Sequence, residues 1–295
     1  MVYVLYNSTA GSHYGVDKLR EKMQTFFGEE EITLASVITV EDKKAYITKL
    51  TEGDKLVVVG GDGTLNRFVN AIEDKEYPFP IYCYAGGTGN DFIHDVVGGE
   101  SDEPILINKY IHALPEIDVQ GQTLRFINGI GFGIDGYCSE EGEIYREKSG
   151  GKSPNYTKIA LKGLFGAFKP VKAKVTIDGK ETIEGENVWM VPAMNGRFFG
   201  GGMMITPDQD RLNEERDITV AIVTAKSRIR LLTIFPKIFK GTHKAYTKII
   251  RFFKCKSVTV EFDTPTALQV DGETFSGVKT YIARSYSLIK EKAMV

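Results

Sequence analysis

Two glycine-rich segments contain the residues whose types and spacing most directly predict a chemical function. Gly60-Gly61-Asp62-Gly63-Thr64 follows the apolar run Leu56–Val59, and Gly86-Gly87-Thr88-Gly89-Asn90-Asp91 follows the apolar run Ile81–Ala85. Glycine lacks a Cβ atom, so such segments turn tightly and let the backbone approach a ligand closely. The helix expected after the first segment would present its N–H groups to an anion, with Thr64 as its N-cap. The pattern predicts phosphate binding, since a simple strand–helix turn would explain two glycines but not three around an acid.

Asp62 distinguishes the first segment from better-known phosphate loops. An acid beside a phosphate is unfavourable in charge unless a metal ion lies between the two groups. The G-x-G-x-x-G pattern fails because Phe92 occupies the place of its third glycine, which disfavours a dinucleotide-binding fold. Gly150-Gly151-Lys152-Ser153 resembles the end of a Walker A loop, but Arg146 stands where that motif requires its first glycine.

Two further carboxylates, Asp271 and Glu273, follow the apolar run Ala267–Val270. An Asp-Gly pair by itself predicts a hairpin turn. In a chain with two phosphate-binding segments the carboxylates have a second use, because phosphoryl transfer needs a residue that accepts the proton of the attacking hydroxyl. The sequence leaves both interpretations open and does not separate Asp271 from Glu273 as the proton acceptor.

The overall composition argues against several classes of protein. The 295 residues carry a net charge of −2, which provides no global basic field for nucleic acid. Cys83, Cys138 and Cys255 are isolated and odd in number, so neither a disulfide framework nor a zinc knuckle is expected. The sequence contains no signal-peptide pattern and no apolar run of about 18 residues. We therefore expect a cytoplasmic protein with no nucleic-acid partner.

The charges are unevenly distributed along the chain. Residues 146–174 contain eight Lys or Arg and one acid, and residues 218–260 contain ten and no acid. The second stretch includes an expected helix at Arg228–Phe239, whose basic and apolar residues suit an anionic membrane surface. These stretches indicate an anionic partner, and two solvated helix faces are the alternative.

Two kinds of organisation follow one another in the sequence. Up to residue 114, apolar runs, the first of which is Val2–Tyr6, alternate with helical spacing, which predicts βαβ units and an open parallel sheet. Over residues 115–283, short β-rich segments predict a mostly antiparallel β-sandwich, interrupted by helices at 156–168 and 228–239. The pairs Asp178-Gly179 and Asp271-Gly272 bound such segments and predict hairpin turns. We expect two domains, 1–114 and 115–283, with residues 284–295 returning to the first.

Three motifs in this order and spacing, Gly60–Thr64, Gly87–Asp91 and Asp271–Glu273, resemble the soluble diacylglycerol kinase family. That family includes bacterial lipid kinases and the sphingosine and ceramide kinases. The first motif also occurs in NAD kinases and phosphofructokinases, and we expect the first domain to share their α/β fold. The second motif is the one that distinguishes the lipid-kinase branch. Asn7-Ser8-Thr9-Ala10-Gly11 resembles the family's nucleotide loop N-P-x-[SA]-G, and Thr39 stands in the position of its nucleotide-side threonine.

The resemblance implies a kinase that uses ATP and Mg²⁺ to phosphorylate the hydroxyl of a membrane lipid, with diacylglycerol as the first candidate. Asp62 would serve the metal–phosphate network, and Glu273 or, failing it, Asp271 would accept the proton. The residues expected at the nucleotide are Asn7, Gly11, Thr39, Gly60, Gly61, Gly63, Thr64, Leu65, Asn66, Gly87 and Thr88. The lipid would enter the second domain from the membrane surface. The basic stretches would then contact that surface, which implies that the protein associates peripherally with the membrane. Members of the family are often dimeric, so the resemblance leaves open whether this chain forms a homodimer.

The sequence departs from the family pattern at several positions. Arg67 replaces a glutamate that is usual beside the phosphates, and His94 replaces the arginine that is common after Asn-Asp-Phe-x. Segment 207–217 resembles the one that binds a structural Mg²⁺, with Asn213 and Glu215 as candidate ligands, but an Asn-Glu pair replaces its usual Asp-Gly, so a carboxylate is lost. Two alternatives therefore stay open: a non-catalytic nucleotide- and lipid-binding module, and a kinase of the same superfold with a soluble substrate such as NAD.

Overall fold

The computed structural model describes residues 1–7, 15–37, 39–40, 42–86 and 89–293. The chain divides into two compact units, Met1–Ala113 and Leu114–Val295. The last helix is grouped with the second unit, in which Lys256 Nζ lies 3.2 Å from Glu291 Oε1. This grouping differs from the expected return of residues 284–295 to the first domain.

The first unit is built on a five-stranded sheet with the strand order β2-β1-β3-β4-β5. Its elements in chain order are β1 (Val2–Tyr6), α1 (Val16–Phe27), β2 (Ile32–Ser36), α2 (Lys43–Ile47), β3 (Lys55–Gly60), α3 (Asp62–Ala71), β4 (Ile81–Ala85), α4 (Asp91–Val97), β5 (Ile105–Leu106) and α5 (Asn108–Ile111). Strands β1 to β4 are parallel, and β5 runs antiparallel to β4. Val57 and Val58 are fully buried, as a continuous apolar run in a covered parallel strand requires. The expected open α/β sheet is confirmed.

The second unit consists mainly of antiparallel strands. Its elements in chain order are β6 (Glu116–Val119), β7 (Gln122–Arg125), β8 (Gly129–Phe132), α6 (Ile134–Lys148), α7 (Tyr156–Lys162), β9 (Val171–Ile177), β10 (Glu181–Met190), β11 (Ala193–Met194), β12 (Phe198–Phe199), β13 (Met203–Met204), β14 (Ile218–Thr224), α8 (Arg228–Ile238), β15 (Ile250–Cys255), β16 (Ser257–Val270), β17 (Glu273–Arg284) and α9 (Tyr286–Ala293). Strand β9 pairs with both β10 and β16, so the path β16-β8-β11-β14-β10-β9 closes on itself. In the core of this unit Phe132 stacks on Phe262 with ring centroids 3.8 Å apart, and Tyr281 packs edge-on against Phe132. The expected antiparallel β-rich domain is confirmed.

Both predicted hairpin turns are present. Asp178 and Gly179 have φ angles of +51° and +65° between β9 and β10, and Asp271 and Gly272 have φ angles of +47° and +91° between β16 and β17. Two positive φ angles in succession give the turn whose twist matches that of the flanking strands.

The helices of the second unit differ from the prediction in two ways. The helix expected over 156–168 ends at Lys162 and continues as a π-helical turn, Gly163–Ala167, which is broken where Gly166 adopts φ +144°. Helix α6 was not expected, because its glycines lower helix propensity. Packing requires them: a Cβ atom at Gly136 would lie 1.9 Å from the carbonyl oxygen of Ala267 on β16. None of the described helices is both long and apolar enough to cross a membrane.

Candidate active-site residues

The two glycine-rich segments meet at the carboxyl ends of β3 and β4. Gly60 pairs with Ala85 in the last register position, and the Gly86 N–H donates to the Gly60 carbonyl oxygen at 3.1 Å. A Cβ atom at Gly60 would lie 2.5 Å from Thr64 Cβ, and one at Gly86 would lie 2.9 Å from Val59 Cγ1. Close packing therefore requires both glycines, and the two segments lie side by side.

Helix α3 begins at Asp62, with Gly61 as its N-cap. The Gly61 carbonyl oxygen accepts the N–H groups of Thr64 and Leu65 at 2.9 and 3.1 Å. The prediction that Thr64 caps the helix is wrong, because the helix starts two residues earlier and Thr64 lies within its first turn. The Thr64 hydroxyl instead accepts a hydrogen bond from Asn7 Nδ2 at 3.0 Å, which joins two of the predicted nucleotide residues.

Asp62 binds the N-terminus of the next helix. Its carboxylate accepts the N–H of Asp91 at 2.8 Å and that of Phe92 at 2.9 Å, and its own N–H donates to the Gly89 carbonyl oxygen at 3.0 Å. A carboxylate in this position satisfies orphan donors of α4 and interacts favourably with the helix dipole. The structure thus supplies a reason for an acid in this segment that the sequence did not reveal. A carboxylate oxygen has more than one acceptor site, so a contact from Asp62 to a metal ion remains a prediction.

The other predicted nucleotide residues occupy the same unit. Leu65 and Asn66 are buried in α3, Gly63 lies in its first turn, and the Thr39 hydroxyl donates to the Ser36 carbonyl oxygen at the end of β2. Gly11, Gly87 and Thr88 lie outside the described residues. The glycine backbone at the start of α3, next to the Asn7–Thr64 pair, is chemically suited to a phosphate group.

Asp271 is buried and fixed by the backbone. Its carboxylate accepts the N–H groups of Ile127, Asn128 and Gly129 at 2.5, 2.8 and 2.9 Å. These three donors occupy acceptor sites on both oxygens. Glu273 is exposed at the start of β17, and among the described residues its carboxylate has no hydrogen-bond partner. The geometry therefore distinguishes a held carboxylate from an accessible one, which the sequence did not do.

Gln269 connects this turn to a second buried carboxylate. Its Oε1 accepts the N–H of Gly272 at 2.7 Å, and its Nε2 donates to Asp135 Oδ2 at 2.9 Å. Gly131 makes room for Asp135, since a Cβ atom at Gly131 would lie 1.6 Å from Asp135 Oδ2. Sequence reasoning missed both Gln269 and Asp135. Gly131 was the one sign of a close neighbour in the sequence, and a glycine does not identify the residue that packs against it.

Asp135 also lines an apolar cavity of about 70 Å³ that opens to solvent. Apart from Asp135 and Cys138 the lining is hydrophobic, and it includes Trp189, Phe199 and Met203. Trp189 and Phe199 also belong to a buried hydrophobic cluster, so these two residues both pack in the core and line the cavity. Burial raises the pKa of the Cys138 thiol, which disfavours the reactive thiolate here.

Segment 207–217 contains a hydrogen-bonded turn around Asn213. Asn213 Oδ1 accepts the Asp217 N–H at 2.9 Å, and Asn213 Nδ2 donates to the Asp210 carbonyl oxygen at 2.7 Å. Glu215 is exposed. The described residues contain no group of three or more His, Cys, Asp or Glu that could hold a metal ion. The amide oxygen of Asn213 accepts one hydrogen bond and has a second acceptor site, so a structural Mg²⁺ held by Asn213 and Glu215 stays a prediction, and no step of the mechanism is assigned to such an ion.

Comparison with protein families assigns both units. A diacylglycerol kinase catalytic domain matches residues 1–119, and a YegS C-terminal NAD kinase β-sandwich-like domain matches residues 128–284.

Individual relatives agree with this assignment. A diacylglycerol kinase of Mycobacterium tuberculosis (strain ATCC 25618 / H37Rv) is 28% identical over 223 residues, which cover 70% of this chain and 67% of that protein. The YtlR protein of Bacillus subtilis (strain 168), named as a lipid kinase, is 24% identical over 280 residues, which cover 90% of this chain and 86% of that protein. The crystal structure of a diacylglycerol kinase from Bacillus anthracis str. Sterne has a TM-score of 0.64 at 19% identity and covers 97% of this chain and 94% of that one, which shows a shared fold.

Proposed function

Because the chain belongs to the family of diacylglycerol kinases and related bacterial lipid kinases, we propose that it transfers the γ-phosphate of ATP to the hydroxyl group of a membrane lipid, diacylglycerol. The observation that carries this proposal is the path in the second unit from the Asp271–Glu273 turn through Gln269 to Asp135 at the wall of an apolar cavity. An acyl chain gains free energy by leaving water for such a cavity, and a polar acceptor such as NAD does not.

The first unit would hold the nucleotide. The backbone of Gly60 and Gly61 at the start of α3 would face the phosphates, with Asn7 and Thr64 as polar contacts. Bound Mg²⁺ would neutralise negative charge on these phosphates. Asp62 would keep the N-termini of α3 and α4 in a fixed arrangement through its hydrogen bonds to α4.

Glu273 would accept the proton of the lipid hydroxyl as its oxygen forms a bond to the γ-phosphorus. The bond from that phosphorus to the bridging β-phosphate oxygen breaks, and ADP leaves. Asp271 would hold the turn, because its three backbone hydrogen bonds fix the point from which Glu273 projects. Asp271 is accordingly a positioning residue in this mechanism.

The proposal is tested by measuring ATP consumption with Mg²⁺ in the presence of mixed micelles of diacylglycerol, phosphatidylglycerol or ceramide, with NAD in parallel. We expect consumption that depends on diacylglycerol. ATP binding without consumption on any acceptor would establish the non-catalytic module instead. Consumption with NAD alone would establish a soluble-substrate kinase, and either result overturns the proposal.

Replacing Glu273 with Gln tests the assignment of the proton acceptor. We expect kcat to fall by roughly 10²–10⁴-fold, the usual contribution of general base catalysis, while ATP binding is kept. Glu181→Gln is the matched control, because Glu181 is likewise an exposed glutamate just after an Asp-Gly hairpin and at the start of a strand. Undiminished turnover by the Glu273→Gln variant would transfer the role to another residue.

A further inference from the structure

Two apolar side chains of the second unit are far more exposed than any other large hydrophobic residue among the described positions. Phe165 is 72% exposed and Ile229 is 74% exposed, whereas the next value is 52%, for Leu106 in the first unit. Single exposed hydrophobic residues are ordinary on protein surfaces. These two, however, lie on segments that contact each other, the π-helical turn Gly163–Ala167 and the start of α8.

Arg228 holds the two segments together. Its guanidinium donates to the Leu164 and Phe168 carbonyl oxygens, both at 3.1 Å, on either side of Phe165. The same guanidinium lies 4.9 Å from the centroid of the buried Trp189 ring. Ile229 follows Arg228 directly, so it lies beside the turn that carries Phe165. We call Phe165, Ile229 and the turn Gly163–Ala167 together the apolar tip.

The backbone of the turn is shaped to present Phe165 outward. Gly166 adopts φ +144°, a conformation that other residues rarely adopt, and no atom lies within 4 Å of the place where its Cβ would be. The hydrogen bonds from Arg228 to the Leu164 and Phe168 carbonyl oxygens hold this turn on both sides of Phe165.

Basic side chains predominate on the segments that adjoin the apolar tip. The exposed cations on the adjoining segments that form no ion pair with the described residues are Lys158, Lys169, Lys226 and Arg230. Lys162 differs, since its Nζ lies 3.1 Å from Glu141 Oε2. No acid occurs in residues 218–260. An apolar tip surrounded by cations is complementary to an anionic bilayer, whose surface attracts cations while its interior accepts apolar side chains.

The segments that carry the tip also form a wall of the apolar cavity. Leu164, which precedes Phe165, and Leu231, two residues after Ile229, line the cavity together with Ile234 of α8. A lipid that moved from the bilayer into the cavity at this wall would keep its chain away from water for most of the way.

We propose that the apolar tip docks the protein on an anionic lipid bilayer, with Phe165 and Ile229 inserted at the headgroup boundary and the four cations against the headgroups. This proposal depends on the proposed function in one respect: the purpose of docking is to deliver a lipid acceptor to the cavity. Docking itself is independent of turnover.

The test is cosedimentation of the full chain with vesicles of phosphatidylcholine alone and of phosphatidylcholine mixed with phosphatidylglycerol. We expect binding to the mixed vesicles and a loss of about tenfold or more in the partition coefficient for the Phe165→Ser, Ile229→Ser double variant. Leu106→Ser is the matched control, because it removes an exposed leucine from the other unit. The Lys169→Glu and Arg230→Glu variants should each lower binding by about fivefold or more, whereas Lys49→Glu should not.

The outcomes separate docking from catalysis. Unchanged vesicle binding by the double variant, or equal binding to neutral and anionic vesicles, would overturn the docking surface. Absence of vesicle binding by the unmodified chain would overturn it as well, while consumption of ATP with a water-soluble short-chain diacylglycerol would leave the proposed function intact. Vesicle binding without any lipid-dependent turnover would support docking and contradict the kinase.

Discussion

At the scale of single residues, Gln269 is the buried amide on which the candidate catalytic turn depends. Replacing it with Leu keeps the volume but leaves the Gly272 N–H and the Asp135 carboxylate without this partner. An unsatisfied buried polar group costs about 1–3 kcal/mol, so we expect kcat with diacylglycerol to fall roughly tenfold to hundredfold while ATP binding is retained. Gln122→Leu, on the exposed surface of β7, is the control. Equal kcat for the two variants would show that Gln269 does not position the turn.

The Gln269→Glu variant separates positioning from mere structural support. It retains an oxygen for the Gly272 N–H but sets a carboxylate against Asp135. Two carboxylates this close share a proton at low pH, so the activity of the variant should recover as the pH falls, with a titration that belongs to the pair. The pH dependence of kcat for the variant and the unmodified protein checks this expectation. A constant ratio of the two rates across pH would contradict it.

The sequence predicted which residues have a role in the candidate site better than it predicted the contacts that these residues make. Tight turns at Gly60 and Gly86 were predicted, because only a residue without a Cβ atom fits such a turn after a buried strand. The partners of Asp62 were not, because a carboxylate that caps a neighbouring helix looks in sequence like one that awaits a metal ion. Gln269 had no sequence signal at all, since its role depends on Asp135, which lies 134 positions away.

At the scale of elements, periodicity predicted those strands and helices whose own residues favour them. Strand β1, strand β4 and the two Asp-Gly hairpins were predicted where they lie. Helix α6 was missed because Gly136 and Gly142 weaken the helical pattern. Its close packing on β16 favours the helix in the folded protein, and tertiary packing of this kind leaves no periodic trace in a single sequence.

The turn after α8 gives a stability prediction at this scale. His243 is fully buried there, its Nε2 lies 2.9 Å from the Ile205 carbonyl oxygen, and burial lowers its pKa. Below its unfolded pKa of about 6.5 the unfolded chain therefore binds a proton that the folded chain does not, and stability falls as the pH falls, by up to about 1.4 kcal/mol per pH unit. His243→Gln keeps a side-chain donor for Ile205 but does not titrate.

The free energy of unfolding by urea, measured at about pH 7.5 and about pH 5.5, checks this expectation. The unmodified protein should lose about 1 kcal/mol more than the variant between the two values. An equal loss in both proteins would mean that His243 is protonated in the folded state. Tyr246→Phe, a substitution in the same turn that removes no group titrating in this range, serves as the control.

At the scale of the whole molecule, the structure shows that fewer cations are available to an anionic partner than the sequence suggested. The two basic stretches suggested one broad cationic surface, but several of their lysines form ion pairs, namely Lys162, Lys172, Lys174, Lys244 and Lys256. Exposed pairs of this kind contribute little to stability, yet they cancel charge locally. The cations without such partners around the apolar tip are therefore a smaller set than composition alone implied.

That smaller set predicts how salt acts on the protein. Raising the ionic strength from about 0.01 M to about 1 M shortens the Debye length from about 30 Å to about 3 Å, which screens exposed cations from a bilayer but leaves apolar insertion in place. Turnover of diacylglycerol in anionic vesicles should then fall steeply with salt, whereas turnover of a water-soluble short-chain diacylglycerol should change little. In neutral vesicles the salt dependence should disappear, because no headgroup charge remains to be screened. Parallel salt titrations of the three substrates check this, and an equal decline in all of them would place the effect of salt on the nucleotide rather than on the surface that meets the lipid.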